Sequence, residues 1–136
     1  METSASFQLA SWNELAYLEG LEPQMTQADV GFVFDGGFKG VGQIRYLMCY
    51  QHFDGQNPIN SEARYSGLVR FEGELDGQQG SFVAEDRGVF GAGTARSTLT
   101  IMPQSGRGEL AGISGSGSYE AGHGGGQLQL SYQISD

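Results

Sequence analysis

Asp86 is the residue whose type and position most directly predict acid–base or binding chemistry, because it is an acidic side chain on the same predicted strand face as apolar ones. Phe82 and Ala84 precede it at two-residue spacing, and side chains two apart lie on the same face of a β-strand. A carboxylate on a buried face loses hydration, which raises its pKa, so it could act as an acid or base or bind a ligand's polar group. The alternative is that a bulge in the segment AEDRG turns Asp86 outward, where it pairs with Arg87 or another surface cation.

Four tyrosines lie at two-residue spacing from apolar residues of their own predicted strands, and so on the same face, where they could surround a cavity with phenol groups. A phenol combines an apolar ring with a hydrogen-bonding hydroxyl, and a methionine nearby would add an adaptable apolar wall. The alternative is that these side chains only fill the core. The predicted ligand-binding residues are Tyr46, Met48, Tyr50, Tyr65, Phe71, Phe82, Asp86 and Tyr132.

A glycine cluster matches the spacing of a dinucleotide-binding fingerprint. Gly106, Gly108 and Ala111 follow the pattern G-x-G-x-x-A after a strand-like segment. That fingerprint requires the turn to begin a helix whose N-terminus receives the pyrophosphate. The residues from 111 to 126, AGISGSGSYEAGHGGG, are mostly glycine and serine, a composition that disfavours a helix. We therefore interpret the glycines as structural and expect no cofactor.

Other reactive side chains lack partners at a useful spacing. His52 and His123 lie in polar, glycine-rich loops without a set of ligands around them, so no metal site is predicted. Cys49 has the opposite parity from Tyr46 and Tyr50 and no activating partner that the sequence identifies, which favours a buried or interface thiol.

Charge and composition exclude several classes of partner. The net charge is -9, from 16 acidic and 7 basic residues, and this charge repels nucleic-acid phosphates and anionic membrane surfaces. A single cysteine and an N-terminal segment without basic and apolar signal-peptide regions predict a cytoplasmic protein. The length of 136 residues predicts a single domain.

Period-two alternation recurs along the chain and predicts an all-β fold. Between the first two strands, the segment WNELAYLEGLEP is expected to be a short helical or irregular stretch that begins with Asn13 as an N-cap and ends before Pro23. The predicted strands cover residues 4–11, 26–34, 38–51, 62–75, 79–90, 95–102, 114–120 and 127–134.

Asp76–Gly77 is typical of a two-residue hairpin turn. A turn centred there pairs residues whose numbers sum to 153, which places Phe71 opposite Phe82 and Gly67 opposite Asp86. The terminal strands both carry an apolar face, so pairing them would close the eight strands into an up-and-down antiparallel barrel without exposed edges. Several inward positions are glycine, so either aromatic rings fill those spaces or a cavity is left in the barrel.

Four sequence blocks together resemble an uncharacterised bacterial family of unknown function whose structures are barrels similar to allene oxide cyclase. The blocks are SWNE, RYLMCYQ, GELDGQQGSFV and MPQSGRGELAGISGSGSYEA, and the resemblance covers residues 3 to 135. It implies an eight-stranded barrel without an established activity and a homo-oligomer, with a dimer expected. The chain departs from the family's expected pattern at the long loop HFDGQNPIN and at Val69, where an acidic residue is expected.

Three functions are compatible with these observations. The first is a barrel that binds a small hydrophobic or aromatic ligand in its lumen, with Asp86 or a tyrosine at the ligand's polar end. The second is a cyclase or isomerase in which Asp86 and a tyrosine perform acid–base catalysis. The third is a self-associating structural protein with a solidly packed interior.

Overall fold

The computed structural model describes residues 1–135, which form nine β-strands and a short 3-10 turn at Pro58–Asn60. Strand boundaries agree with the alternation of apolar residues to within a few positions, except in the first strand. The strands are β1 (Glu2–Leu18), β2 (Met25–Gly36), β3 (Phe38–His52), β4 (Glu62–Leu75), β5 (Gln78–Gly91), β6 (Thr94–Ile101), β7 (Arg107–Gly108), β8 (Ile113–Ala121) and β9 (Gly125–Ile134).

Eight of these strands close into an up-and-down barrel. Each pairs antiparallel with the next along the chain, β6 pairs with β8, and β1 closes the barrel by pairing with β9. The two-residue β7 is an addition that lies against β5 outside this order. The prediction of an all-β, eight-stranded antiparallel barrel is therefore confirmed.

The hairpin between β4 and β5 has the predicted register. Gly67 is opposite Asp86 and Phe71 is opposite Phe82. At the turn, Asp76 and Gly77 both have positive φ angles, of 48° and 88°, as a two-residue turn between twisted strands requires. The pairing of β4 with β5 thus follows from one dipeptide and the alternation on either side of it.

The first strand is longer than predicted, and the expected helical or irregular stretch after Asn13 is wrong. β1 continues to Leu18 in antiparallel pairing with β2, whereas its pairing with β9 ends at Gln8. Residues 9–18, called here the β1 arm, therefore extend beyond the point where the barrel closes. Almost all of them are exposed, so neither face of the arm carries the alternation that marks a half-buried strand.

The loop between β6 and β8 closes one end of the barrel. Leu110 in this loop is fully buried, and β7 fixes the loop by pairing with Gly80 and Ser81 on β5. A Cβ atom at Gly106 would lie 2.0 Å from the carbonyl oxygen of Leu110, so this position requires glycine. The cluster that matches the dinucleotide fingerprint thus shapes the loop of residues 102–112, called here the plug, and the chain continues from it into β8.

Candidate functional site

Asp86 lies inside the barrel and is only 1% exposed. The strand keeps its alternation at this point, so the carboxylate faces inward and the outward alternative is wrong. Asp86 is opposite Gly67 on β4, and Gly67 is in turn opposite Tyr46 on β3. Because Gly67 has no side chain, nothing from β4 separates the phenol of Tyr46 from the carboxylate of Asp86.

The carboxylate of Asp86 is hydrogen-bonded through one of its two oxygens. Tyr46 Oη donates to Oδ2 at 3.0 Å and Tyr119 Oη donates to the same atom at 3.1 Å. The two phenol oxygens are also in hydrogen-bonding contact with each other. The second oxygen, Oδ1, is buried and has no hydrogen-bond partner within residues 1–135. The site therefore contains a buried carboxylate with half of its acceptor capacity unused.

Burial changes the protonation equilibria of this cluster. Loss of hydration raises the pKa of Asp86 to about 6, and the nearby hydroxyls of Ser97, Tyr46 and Tyr119 oppose that rise. Burial, followed by the negative charge of Asp86, raises the pKa of Tyr46 well above its ordinary value. Burial also raises the pKa of Tyr119, with Tyr46 and then Asp86 adding to the effect. The phenols are therefore neutral near pH 7, where Asp86 is largely ionised.

A second pair of hydroxyls lies beside this cluster. Tyr65 Oη and Ser97 Oγ are 2.6 Å apart, and the rings of Tyr46 and Tyr65 meet edge to face with centroids 4.9 Å apart. A Cβ atom at Gly88 would lie 2.4 Å from Tyr65 Oη. Glycine at this position therefore leaves the space in which the Tyr65 hydroxyl lies.

An apolar cavity of about 140 Å³ opens at the end of the barrel opposite the plug. Tyr46, Tyr65 and Tyr119 contribute to its wall, and Leu9 and Trp12 of the β1 arm lie at its mouth. Asp86 does not line the cavity. The phenols of Tyr46 and Tyr119, which do line it, are hydrogen-bonded to the carboxylate of Asp86. The lining residues are Phe7, Leu9, Trp12, Phe32, Tyr46, Met48, Tyr65, Phe90, Ala95, Tyr119, Ala121, Gly122, Gly124 and Gly125.

Larger depressions lie on the outer surface, such as one of about 530 Å³ along β1, β8 and β9. They are shallow and open, and their walls include Glu2, Thr3 and several serines. No buried ionisable group is found in that lining. The cavity at the barrel end is therefore the stronger candidate site, although it is smaller.

The structure brings together some of the predicted site residues. Tyr46, Met48 and Tyr65 line the cavity, and Asp86 lies behind two of its phenols. Tyr50 lies outside the lining, where its hydroxyl donates to Glu14 Oε2 at 2.6 Å.

Three predicted ligand-binding residues lie away from the cavity, toward the plugged end. The rings of Phe71 and Phe82 stack with centroids 4.9 Å apart and pack against Phe38. The hydroxyl of Tyr132 donates to Asp76 Oδ2 at 2.6 Å, and burial raises its pKa to about 12. All three were predicted from inward parity, which does not say at which end of the barrel a residue lies.

Sequence reasoning missed Tyr119 and Ser97 as members of the site. Tyr119 shares its parity with Ile113, but the two inward positions between them are Gly115 and Gly117, so the apolar pattern of β8 is interrupted. Ser97 is in step with Leu99 on β6 and is only 3% exposed. A polar residue in step with apolar neighbours was the signal that identified Asp86, and the same signal could have identified Ser97.

The described residues contain neither a metal-binding cluster nor a membrane-spanning helix. Within residues 1–135, no group of three or more histidine, cysteine, aspartate or glutamate side chains is arranged to hold a metal ion. No helix in this part of the chain is long and apolar enough to cross a membrane.

Comparison with known proteins identifies the family. Residues 3–133 match the model of a family described as "Protein of unknown function (DUF3224)". The chain belongs to this family. A solved structure of a DUF3224 protein of unknown function from Shewanella oneidensis MR-1 is similar over 100% of this chain and 98% of its own, with a TM-score of 0.79 and 23% sequence identity. No curated protein matches the chain at a significant level.

These matches confirm the resemblance to a family of unknown function. At 23% identity, the solved structure supports the fold alone. The features of this DUF3224 protein that bear on its function are its own cavity and buried carboxylate.

Proposed function

We propose that this protein binds a small apolar ligand in the cavity at the open end of its barrel. The observation that carries the proposal is an apolar cavity whose wall includes phenol groups hydrogen-bonded to a buried carboxylate. Ligand sites typically combine apolar walls with a few convergent polar groups. The phenols of Tyr46 and Tyr119 would contact the ligand's polar end, and Asp86 would hold those phenols in place.

The cavity volume limits the size of the ligand. An engineered cavity of about 150 Å³ in another protein stays dry and binds benzene, and the volume here is about 140 Å³. The ligand is therefore expected to be about as large as one aromatic ring with a short substituent. A longer ligand would extend through the mouth, past Leu9 and Trp12.

The cyclase or isomerase alternative is less well supported. It requires a group at the cavity surface that gains or loses a proton near neutral pH. Asp86, whose pKa is about 6, does not line the cavity. Tyr46 and Tyr119 do line it, but burial raises the pKa of each phenol well above its ordinary value, so both remain neutral. Any acid–base step would have to pass from Asp86 through one of these phenols.

Methionine methyl groups provide the test of ligand binding. Met48 lines the cavity, whereas Met102 follows β6 at the start of the plug. In protein labelled with 13C at its methionine methyl groups, a toluene titration should shift the Met48 signal saturably and leave Met102 unchanged. An unshifted Met48 signal at saturating toluene would contradict the proposal.

A matched pair of variants controls this titration. Ala121 lines the cavity, and Ala121→Leu should fill it and abolish the Met48 shift. Ala111 is exposed in the plug loop, so Ala111→Leu makes the same change away from the cavity and should leave the shift intact. Equal effects of the two substitutions would refute binding in this cavity.

We propose that the protein is a cytoplasmic homodimer; the single cysteine supports the reducing compartment, and the exposed Trp12, Leu15 and Leu18 of the β1 arm support self-association. Light scattering coupled to gel filtration measures the oligomeric state. A mass of one chain at all concentrations would contradict the dimer.

A further inference from the structure

We propose that the ligand's polar end is a protonated amine, held by the phenol oxygens of Tyr46 and Tyr119 and attracted by the carboxylate of Asp86. This inference rests on the proposed function, because it specifies the chemical class of the ligand in the same cavity. Three observations support it: the arrangement of phenol protons, the lack of a cationic partner for Asp86, and the aromatic cavity wall.

The two phenol hydroxyls have too few protons for every oxygen–oxygen contact in the cluster, so some of their lone pairs stay without a hydrogen bond. Tyr46 and Tyr119 carry one hydroxyl proton each, but three oxygen–oxygen contacts connect these two hydroxyls with Asp86 Oδ2. When Asp86 is ionised it contributes no proton, so two protons serve three contacts. Phenols that donate to the carboxylate have only lone pairs left for a ligand. The cluster therefore favours a ligand that donates hydrogen bonds over one that only accepts them.

Asp86 also lacks a cationic partner within residues 1–135. The salt bridges found there join Arg45 with Asp29, Arg70 with Glu72, and Arg96 with Glu120, and all six side chains are largely exposed. Buried charges in proteins are usually paired, yet Asp86 is 1% exposed and has one oxygen without a hydrogen-bond partner. A ligand cation would supply the missing charge, which a neutral alcohol would not.

The cavity wall and the overall charge favour the same ligand class. Phe7, Phe32 and Tyr119 surround the cavity with mutual ring distances between 4.9 and 6.2 Å, and aromatic rings attract cations by their quadrupoles. The net charge of -9 raises the local concentration of cations and lowers that of anions. An aromatic carboxylate of equal size is expected to be excluded.

The other ionisable groups around Asp86 do not provide a competing cation. Tyr46, Tyr65 and Tyr119 face it from β3, β4 and β8, and Ser97 faces it from β6 as an uncharged hydroxyl. Its neighbours along β5, Glu85 and Arg87, are exposed. The buried positions of β1, β2 and β9 carry no cationic side chain: most are apolar, as at Phe7, Phe32 and Leu128, and the polar ones, Thr26 and Tyr132, are hydroxyls.

Three single-ring probes of similar size test the inference: benzylamine, benzyl alcohol and toluene. Trp12 is the one tryptophan of the chain and lies at the cavity mouth, so its fluorescence reports binding. At pH 8, benzylamine should bind at least about tenfold more tightly than benzyl alcohol or toluene, a ratio equivalent to about 1.4 kcal/mol. If benzylamine binds no better than benzyl alcohol, the amine inference is wrong. If none of the three probes binds, the proposed ligand function also fails.

Asp86→Asn should remove the preference for benzylamine and leave toluene binding intact. Glu85→Gln removes the same charge from the neighbouring exposed position and should retain the preference. Persistence of the preference in Asp86→Asn, or its loss in Glu85→Gln, would overturn the assignment.

A pH series on a chain with native Asp86 tests the inference even if Asp86→Asn does not fold. Burial places the pKa of Asp86 at about 6, so lowering the pH from 8 to 5 neutralises the carboxylate while benzylamine stays protonated. The preference should fall with a midpoint near pH 6. His123 lies in the turn at the mouth, between lining residues Gly122 and Gly124, so the series uses a His123→Asn background. A preference that is equal at pH 8 and pH 5 would contradict the role of Asp86.

Discussion

Replacing Asp86 with asparagine should abolish a pH-dependent loss of stability that the buried carboxylate causes. The pKa of Asp86 is about 6 in the folded chain, against an ordinary value of 3.8. Between these pH values the folded chain holds a proton that the unfolded chain releases, so the free energy of unfolding falls as pH rises. The contribution of Asp86 is complete below pH 3.8 and is lost above pH 6. Its total is about 3 kcal/mol, because a tenfold difference in proton affinity between the folded and unfolded chains corresponds to about 1.4 kcal/mol.

Urea unfolding of both proteins across a pH series measures this effect. The other acidic residues are present in both proteins, so their contributions cancel in the difference between the unfolding free energies. From about pH 3.5 to about pH 7.5, the wild-type chain should lose about 3 kcal/mol relative to Asp86→Asn. A difference that changes by less than about 0.5 kcal/mol, or in the opposite direction, would refute the burial argument. The NMR titration of the Asp86 carboxyl carbon in the wild-type chain provides an independent check, with an expected midpoint near pH 6.

Three further substitutions test how the fold shapes the site. Gly88→Ala should lower the free energy of unfolding by about 1–3 kcal/mol and weaken toluene binding, because the alanine Cβ would lie 2.4 Å from Tyr65 Oη. Unchanged urea unfolding and unchanged toluene affinity would contradict this. Phe82→Leu should destabilise the chain by on the order of 1 kcal/mol in the same assay yet leave toluene affinity unchanged, since Phe82 lies outside the cavity; a weaker affinity would place the site elsewhere. Gly77→Ala should cost about 1–2 kcal/mol, because φ is 88° there, and an equally stable variant would argue against the turn.

Much of the barrel could be predicted because its half-buried strands alternate and its key turn has a specific composition. Asp76–Gly77 and the alternation around it were sufficient to place Gly67 opposite Asp86. The β1 arm could not be predicted in the same way, because it extends past the closed part of the barrel with both faces exposed. Alternation identifies a strand only where one face is buried.

The site was predicted in part, because parity gives the face of a strand but not the depth of a residue in the barrel. Parity placed Tyr46 inside and left Asp86 either inside or turned outward by a bulge, and both side chains are buried. Parity could not separate Tyr65, which lines the cavity, from Tyr132, which bonds to Asp76 near the plugged end. Nor could it show Tyr119 meeting Asp86, because that contact depends on how β3, β5 and β8 curve around the barrel.

The cavity beside the Tyr46, Tyr119 and Asp86 cluster is proposed to hold a ligand of about one aromatic ring. The most direct measurement is the anomalous diffraction of a crystal soaked with bromobenzene, in which the bromine marks the ligand's position. One dominant bromine peak is expected inside the cavity, within van der Waals contact of Phe7, Phe32 or Tyr119, and none in a crystal of Ala121→Leu. An empty cavity in the wild-type crystal at saturating bromobenzene, or bromine peaks only on the outer surface, would contradict the claim.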